Sequence, residues 1–353
     1  MKDINRRTFI RNSAIAGTAG IVTTNAVASN VLSSNEYSDK EISPVSELQF
    51  NNNGRFKILQ FADTHYIAGD TRSKRALDNV NQMLDLEKPD LVIHTGDVIF
   101  GKPADKSLRE ILAPMSERKI PFAVALGNHD EEYDKNRDEV AEIINTIPYN
   151  INKNVKGITG ATNCILTLKA PKSNIPQWIF YLFDSNRSSH IEDIGGYDYI
   201  HPDQINWYRK QSQNYTHKNN GKPISSLAFF HIPIPEYKTA ASDDGTFLRG
   251  IRAESVCSPK VNSGLFVSMK EMGDIRATFV GHDHDCDFAA YWNKIFLIYG
   301  RFSGCDTVYN DIKPNGARII ELTEGKKNFR SWIRLYGGDI IQDLQYPDDF
   351  IKK

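Results

Sequence analysis

The sequence is poor in cysteine, and no two cysteines have the spacing of a zinc ribbon or of a thioredoxin-like redox motif. The four cysteines are widely separated in a chain of 353 residues: Cys164, Cys257, Cys286 and Cys305. This spacing argues against both kinds of site. It is typical of buried thiols that behave as small apolar side chains, and one or two disulfides are the alternative.

The sequence also lacks a charge excess. It has 43 lysine and arginine residues against 44 aspartate and glutamate residues, which gives a formal net charge of −1. Nucleic-acid-binding surfaces usually show a basic excess, so we expect no stable nucleic-acid partner. With 40% hydrophobic and 25% charged residues, the composition is that of a globular protein. No linker rich in proline, glycine or serine divides the polar motifs described below, so we expect one large domain.

The first 30 residues have the pattern of an export signal. Asn5–Arg11 resembles the twin-arginine motif, a mildly apolar stretch of small residues follows at Ser13–Val22, and Ala26–Ala28 offers a cleavage site. We therefore predict that residues 1–30 direct the protein through the twin-arginine export machinery to the periplasm or the medium; a disordered basic tail is the alternative. The apolar stretch is too short for a transmembrane helix, which needs about 20 residues, so we expect no transmembrane anchor. Residues 31–54 are polar and are predicted to form a spacer.

Strand and helix patterns alternate after this spacer. Apolar runs typical of strands at 56–61, 91–93 and 121–126 are separated by helical patterns at 73–86, which Ser73 is expected to cap, and at 105–118. Such alternation predicts right-handed crossovers and a parallel sheet. Later runs alternate like the strands of a second, more antiparallel sheet. We predict an α/β fold with two facing mixed sheets flanked by helices, a catalytic domain at 55–340 and a C-terminal tail at 341–353.

Five short polar motifs each follow a strand-like run. They are Asp63-Thr64-His65, Gly96-Asp97, Gly127-Asn128-His129-Asp130, Phe230-His231 and Gly281-His282-Asp283-His284. Ligand sites in parallel α/β sheets lie at the carboxyl ends of the strands, so we expect the five motifs to meet. Each short motif alone is more often a turn than a site. Together they provide the nitrogen and oxygen donors that suit zinc, iron or manganese, and they predict a dinuclear metal site.

The residue types also predict a role for each side chain. Asp97 is expected to bridge two ions, because it is alone in its motif and a carboxylate has two oxygens to share. The other ligands fall into two sets, Asp63, His65 and His284 for one ion and Asn128, His231 and His282 for the other. His129 remains, and we predict that it protonates the leaving group or stabilises charge on the transferred phosphoryl group. A hydroxide between the two ions is the predicted nucleophile for in-line attack on phosphorus.

Other polar residues are candidates for contact with the substrate or for support of the site. The possible substrate contacts are Arg301, His190 and Asn186. Arginine suits phosphate through its bidentate fork, although a surface salt bridge is an equally good explanation for Arg301. His94 lies within a strand pattern and is predicted to be a core residue or a partner of a metal ligand.

The five motifs resemble those of the calcineurin-like metallophosphoesterase superfamily over about residues 55–335. Phe230–Tyr237, Val261–Gly264 and Phe279–His284 are further similar to its compact purple-acid-phosphatase-related branch. The resemblance implies a four-layer α/β/β/α sandwich, two divalent or trivalent metal ions (iron, manganese or zinc) and hydrolysis of a small phosphorylated substrate. We expect a phosphomonoesterase. The alternatives are a phosphodiesterase for cyclic nucleotides, nucleic acid or phospholipid head groups, and a non-catalytic binding protein that kept the fold.

Two positions depart from the pattern of true purple acid phosphatases. Those enzymes have glycine at the end of the first motif and, three residues after the bridging aspartate, a tyrosine whose bond to ferric iron gives the colour. His65 and Phe100 occupy these positions here. The resemblance therefore implies a colourless or weakly coloured protein.

Overall fold

The computed structural model describes residues 45–351, so the predicted export signal lies outside the described residues. The strands are β1 (Val45–Gln49), β2 (Arg55–Phe61), β3 (Leu91–His94), β4 (Phe122–Val124), β5 (Cys164–Lys169), β6 (Pro176–Leu182), β7 (Ser225–Phe229), β8 (Leu248–Arg249), β9 (Ile275–Val280), β10 (Ala289–Trp292), β11 (Ile295–Tyr299), β12 (Gly316–Thr323), β13 (Phe329–Leu335) and β14 (Ile340–Tyr346). The helices are α1 (Lys74–Glu87), α2 (Ala104–Glu117), α3 (Arg137–Thr146), α4 (Pro202–Lys218), α5 (Pro235–Ser242) and α6 (Leu265–Met272), with short 3-10 turns at Thr71–Ser73 and Asp348–Phe350.

The strands form two mixed sheets. One sheet has eight strands in the order β1-β5-β6-β7-β9-β11-β10-β8, and the other has six in the order β14-β13-β12-β2-β3-β4. In the first sheet β6, β7, β9 and β11 are parallel, and in the second β2, β3 and β4 are parallel. The carboxyl ends of the parallel strands within each sheet therefore lie at one edge.

Alternating side chains of single strands divide the core into layers. In β2, Phe56 and Ile58 pack between the two sheets, whereas Leu59 and Phe61 pack against α1, α2 and α3. This is the period-two pattern of a strand covered on both faces. The far face of the eight-stranded sheet packs against α4, α5 and α6. The order helix, sheet, sheet, helix confirms the predicted fold class.

Several local predictions need correction. β1 lies in the predicted spacer and pairs in parallel with β5, and β14 lies largely in the predicted tail and pairs with β13. Both strands are at the edge of a sheet, where polar residues are frequent and a strand resembles a loop in sequence, so the sequence did not predict them. The bounds of the helices predicted at 73–86 and 105–118 differ by one residue from those of α1 and α2. The Ser73 hydroxyl does not cap α1, because it accepts a hydrogen bond from the Ile67 amide at 2.8 Å.

All four cysteines are free thiols, and all except the half-buried Cys257 are buried. The structure therefore supports the first of the two alternatives for these residues and contains no disulfide. Among the helices in the described part of the chain, none combines the length and the hydrophobicity that a membrane crossing requires.

Candidate metal centre

The five motifs lie in the loops that directly follow β2, β3, β4, β7 and β9. Glycines in these loops permit very close packing of backbone against ligand side chains. A Cβ atom on Gly127 would lie 2.2 Å from Asp97 Oδ1, and one on Gly281 would lie 2.7 Å from Asp63 Oδ2. No other residue fits at either position without displacing a predicted ligand.

Four of the predicted ligands have the left-handed backbone conformation that non-glycine residues rarely adopt. Their φ angles are 58° for Asp63, 45° for His65, 51° for Asp97 and 82° for His282. Each such residue costs on the order of 1 kcal/mol or more and persists only where the surrounding structure holds it. Strain of this kind concentrates at functional sites, and here it coincides with the residues that the sequence predicts as ligands.

The structure brings Asp63, His65 and His284 together as a buried group whose donor atoms lie within 4.8 Å of one another. The two imidazole Nε2 atoms are 3.0 Å apart. Asp63 Oδ1 lies 4.0 Å from His65 Nε2 and 3.9 Å from His284 Nε2. These are the three residues predicted to hold one ion.

Asp97, His231 and His282 form a second buried group of the same kind. His231 Nε2 is at its centre, 3.1 Å from Asp97 Oδ2 and 3.2 Å from His282 Nδ1. Asn128 Oδ1 lies 3.1 Å from the same nitrogen. The structure thus brings the side chains predicted for the second ion to one point.

Asp97 lies between the two groups. Its Oδ2 atom is 3.1 Å from His231 Nε2 in one group and 3.7 Å from His65 Nε2 in the other. Its Oδ1 atom accepts a hydrogen bond from the His129 amide at 2.8 Å. The position agrees with the predicted bridging role, which stays a prediction.

The hydrogen bonds of two imidazoles indicate that a cation fits here. His231 Nδ1 lies 2.7 Å from the Thr95 carbonyl and His284 Nδ1 lies 2.9 Å from the Tyr309 carbonyl. Because a carbonyl only accepts, each Nδ1 must carry the proton, which in the neutral ring leaves Nε2 with a free lone pair. His231 Nε2 faces lone pairs on Asn128 Oδ1 and Asp97 Oδ2, and His284 Nε2 faces His65 Nε2. Such contacts between acceptors need a proton or a metal ion among them.

The pKa values of the histidines also indicate that a cation fits here. Burial lowers the pKa of His65 and His282 well below the usual value and that of His284 to about 4, so these rings are neutral, as metal binding requires. Burial also opposes a charge on His231, but Asp97 and Asp63 outweigh it and raise the pKa of His231 to about 9. The carboxylates therefore attract positive charge to the point where the second ion is predicted.

His129 lies beside the two groups and is the most solvent-accessible histidine of the motifs, with a side chain 31% exposed. Its Nε2 atom is 4.0 Å from Asp97 Oδ2, and its Nδ1 atom is 2.6 Å from Glu132 Oε2. Arg187 donates to the other oxygen of Glu132 at 3.0 Å. Glu132 was not among the residues predicted from the sequence, although an acidic residue three positions after a predicted catalytic histidine is a usable signal.

Asp130 has a structural role that was also missed. Its carboxylate accepts hydrogen bonds from the amides of Gly127, Asp97, Val98 and Ile99, at 2.8 to 3.1 Å. These bonds tie the loop after β3 to the loop after β4. Asp130 therefore fixes the backbone of the two loops that carry Asp97 and Asn128.

A buried ion pair, absent from the sequence predictions, connects the site to the eight-stranded sheet. Arg137 Nε donates to both oxygens of Asp184 at 2.9 and 3.0 Å, and the guanidinium also donates to the carbonyls of Gly127 and Leu126. Asp184 accepts from the Ala161 amide as well. Burial favours the protonated carboxyl, but Arg137 outweighs it and holds the pKa of Asp184 below the usual 3.8.

We expect Arg137→Met to reduce the free energy of unfolding by about 3 to 5 kcal/mol, because it leaves the Asp184 carboxylate buried without a counter-charge. Chemical denaturation at neutral pH measures the loss. The control is Arg209→Met, which breaks the more exposed pair with Glu271 and should cost less than about 1 kcal/mol. Because the folded-state pKa of Asp184 is lowered, the wild-type contribution is present at neutral pH and is lost as pH falls below about 4. Similar small losses in both variants would contradict this account.

The structure does not support Arg301 as a substrate contact. The side chain is buried, with Nη1 2.6 Å from Asp287 Oδ2, and its other groups donate to the carbonyls of Ile312 and Pro314. Arginine at a strand end suits a buried ion pair as well as it suits phosphate, and the structure places Arg301 in such a pair. Asn186 is buried and donates to the Tyr199 carbonyl at 3.4 Å, whereas His190 is exposed. His94 is buried, with Nε2 3.0 Å from Thr64 Oγ1, as a core position requires.

Phe100 occupies the border of the site. Its ring packs edge-on against His65, with centroids 5.2 Å apart, and against His129 at 5.0 Å. Phenylalanine has no oxygen to bind a metal ion. We therefore expect iron-loaded protein to lack an intense visible charge-transfer band, as an absorption spectrum between 400 and 700 nm would measure. An intense band in that range would contradict the expectation.

The chain is similar to known proteins in sequence and in fold. The family model described as calcineurin-like phosphoesterase matches residues 56–286. The chain is 31% identical over 325 residues to "Probable inactive purple acid phosphatase 29" of Arabidopsis thaliana, with 81% of each chain covered. It is 32% identical over 331 residues to "Phosphatase DCR2" of Saccharomyces cerevisiae, covering 83% of this chain and 56% of that protein. A dimetal phosphatase from Danio rerio has a similar fold, with a TM-score of 0.54, 16% identity, and coverage of 82% and 98%.

Proposed function

This chain belongs to the calcineurin-like phosphoesterase family, and on this premise we propose that it hydrolyses phosphomonoesters with two bound metal ions. The observation that carries the proposal is the convergence of two buried groups of donors on either side of Asp97. Two of the imidazoles turn a lone pair toward other acceptors because backbone carbonyls hold their opposite nitrogens. Such an arrangement is suited to cations.

Each of the two groups would hold one ion, and Asp97 would serve both. The first group is Asp63, His65 and His284, and the second is His231, His282 and Asn128. When bound, two such ions supply a water of lowered pKa and positive charge for the phosphoryl oxygens. Iron, manganese and zinc all accept nitrogen and oxygen donors, so the donors favour none of the three.

We assign the proton for the leaving oxygen to His129. Glu132 Oε2, 2.6 Å from Nδ1, holds the ring with its Nε2 atom 4.0 Å from Asp97 Oδ2, and we assign to this nitrogen the proton that the leaving oxygen takes. Arg187 in turn holds Glu132. A partly exposed position suits a side chain that must exchange its proton with solvent between turnovers.

Comparison of p-nitrophenyl phosphate with bis-p-nitrophenyl phosphate tests the monoester preference. We expect kcat/KM for the monoester to be at least about tenfold higher, a difference of about 1.4 kcal/mol in transition-state stabilisation. A strong preference for the diester would replace the proposal with a phosphodiesterase. The family ligands alone do not separate the two, because loops around a shared centre set the choice.

A non-catalytic protein with the same fold is the second candidate. It is favoured by the names of three similar proteins from Arabidopsis thaliana, each called "Probable inactive purple acid phosphatase". This chain, however, has every predicted ligand and also His129 with its partner Glu132. Protein that binds two metal ions and hydrolyses neither ester would establish the non-catalytic candidate.

We also propose that the protein is exported through the twin-arginine machinery. The support is the sequence alone, because Arg6, Arg7 and the following signal lie outside the described residues. Changing both arginines to lysine should leave the protein in the cytoplasm, as fractionation of cells and immunoblotting would measure. Unchanged export of this variant would contradict the assignment.

A further inference from the structure

Aromatic rings border the imidazoles of both metal-binding groups. Tyr197 packs edge-on over His282, with ring centroids 4.3 Å apart, and Tyr309 lies over His284 at 4.5 Å. Phe100 covers His65 and His129, as described above. Aromatic side chains therefore lie next to the imidazoles of both groups.

Tyr309 differs from the other two rings in its exposure. It is 58% exposed, although it is a large aromatic side chain next to buried polar residues, whereas Tyr197 and Phe100 are half-buried. Its ring is tilted only 32° from that of His284, while Tyr197 stands at 89° to His282. An open aromatic face beside a catalytic centre is available for stacking with a ligand.

Tyr309 is also held rigidly in spite of its exposure. Its hydroxyl donates to Glu254 Oε2 at 2.8 Å, and its carbonyl accepts from His284 Nδ1 at 2.9 Å. Asp285 Oδ1 accepts from the amides of Asp311 and Ile312, which fixes the loop just after the ring. A platform that is already ordered loses little conformational entropy when a ligand stacks on it.

We propose that Tyr309 makes the enzyme selective for phosphomonoesters whose organic group carries an aromatic ring. The inference rests on the proposed phosphomonoesterase function and adds to it the class of substrate. Tyr309 stacks with the ring of the substrate while the phosphoryl group lies at the metal centre. The preference is therefore a property of the exposed ring of Tyr309 and not of the metal ligands.

Benzyl phosphate and n-butyl phosphate test this selectivity, because both release a primary alcohol and differ in the ring. We expect wild-type kcat/KM to favour the benzyl ester. Tyr309→Ala should lower kcat/KM for the benzyl ester about three- to tenfold and change that for the butyl ester less than about twofold. Tyr309→Phe keeps the ring and should keep the preference. Tyr336→Ala removes a tyrosine that is 39% exposed in the turn between β13 and β14, and it should change neither value.

Other results would overturn the inference. Equal losses for both esters, or a lowered metal content in Tyr309→Ala, would show that the ring only supports His284. A second measurement keeps the test independent of turnover: calorimetric binding of phenylphosphonate and methylphosphonate to metal-loaded protein. Tighter binding of phenylphosphonate that Tyr309→Ala abolishes supports the inference even where no ester is hydrolysed, a result that would overturn only the proposed function. Equal affinities in the wild type overturn the inference.

Discussion

Replacing Asp97 by Asn should reduce the number of bound metal ions and remove most of the activity. We expect kcat/KM for p-nitrophenyl phosphate to fall by at least about 10³-fold, because one carboxylate lies within 3.7 Å of imidazole nitrogens in both groups. Loss of a residue that merely supports a metal ligand typically costs 10- to 100-fold, and loss of a shared ligand should exceed that range. Elemental analysis should find one ion or fewer per chain where the wild type holds two.

Asp78→Asn is the control for this substitution. Asp78 is a surface carboxylate paired with Lys74 at 2.6 Å on α1, with a side chain 42% exposed. Its loss should leave metal content and activity unchanged and cost less than about 1 kcal/mol of stability. A variant Asp97→Asn that keeps two ions and more than a tenth of wild-type activity would contradict the bridging role.

Replacing His129 by Ala should abolish most turnover while both metal ions remain bound. The expected loss in kcat is about 10²- to 10⁴-fold, the usual contribution of a positioned general acid. The metal content should stay at two ions per chain, because the His129 ring lies beside the groups and its Nδ1 is engaged by Glu132.

The identity of the leaving group tests the role of His129 more sharply than the size of the loss. An alkyl phosphate leaves as a strongly basic alkoxide that needs a proton, whereas p-nitrophenolate does not. We therefore expect His129→Ala to impair n-butyl phosphate at least about tenfold more than p-nitrophenyl phosphate. Equal losses would assign the ring to charge stabilisation on the phosphoryl group, and unchanged activity would remove it from the mechanism.

The sequence predicted the fold class and the grouping of the candidate ligands because both depend on local pattern. Strand-like runs before Asp63, Asp97 and Asn128 give the parallel order, and parallel strands bring their carboxyl ends together. The division of His282 from His284 between the two groups follows from their chemistry, and the structure brings each to the expected neighbours. Ligand roles remain predictions until metal is measured.

Partners distant in sequence could not be predicted in the same way. Arg137 and Asp184 are 47 residues apart, and nothing local to either side chain identifies the other. The ion pair of Arg301 with Asp287 was not predicted either, because the two side chains meet only when the loop before β10 packs beside the end of β11. The exposure of Tyr309 is likewise a property of the folded surface, since tyrosines are found both in cores and at surfaces.

Titration of metal-free protein with zinc, manganese or iron tests the central claim most directly. Chelated protein should not hydrolyse p-nitrophenyl phosphate, and for at least one of the three metals the rate should rise until two ions are bound per chain and then level off. Full activity in metal-free protein, saturation at a single ion, or no activity with two ions bound would contradict the account.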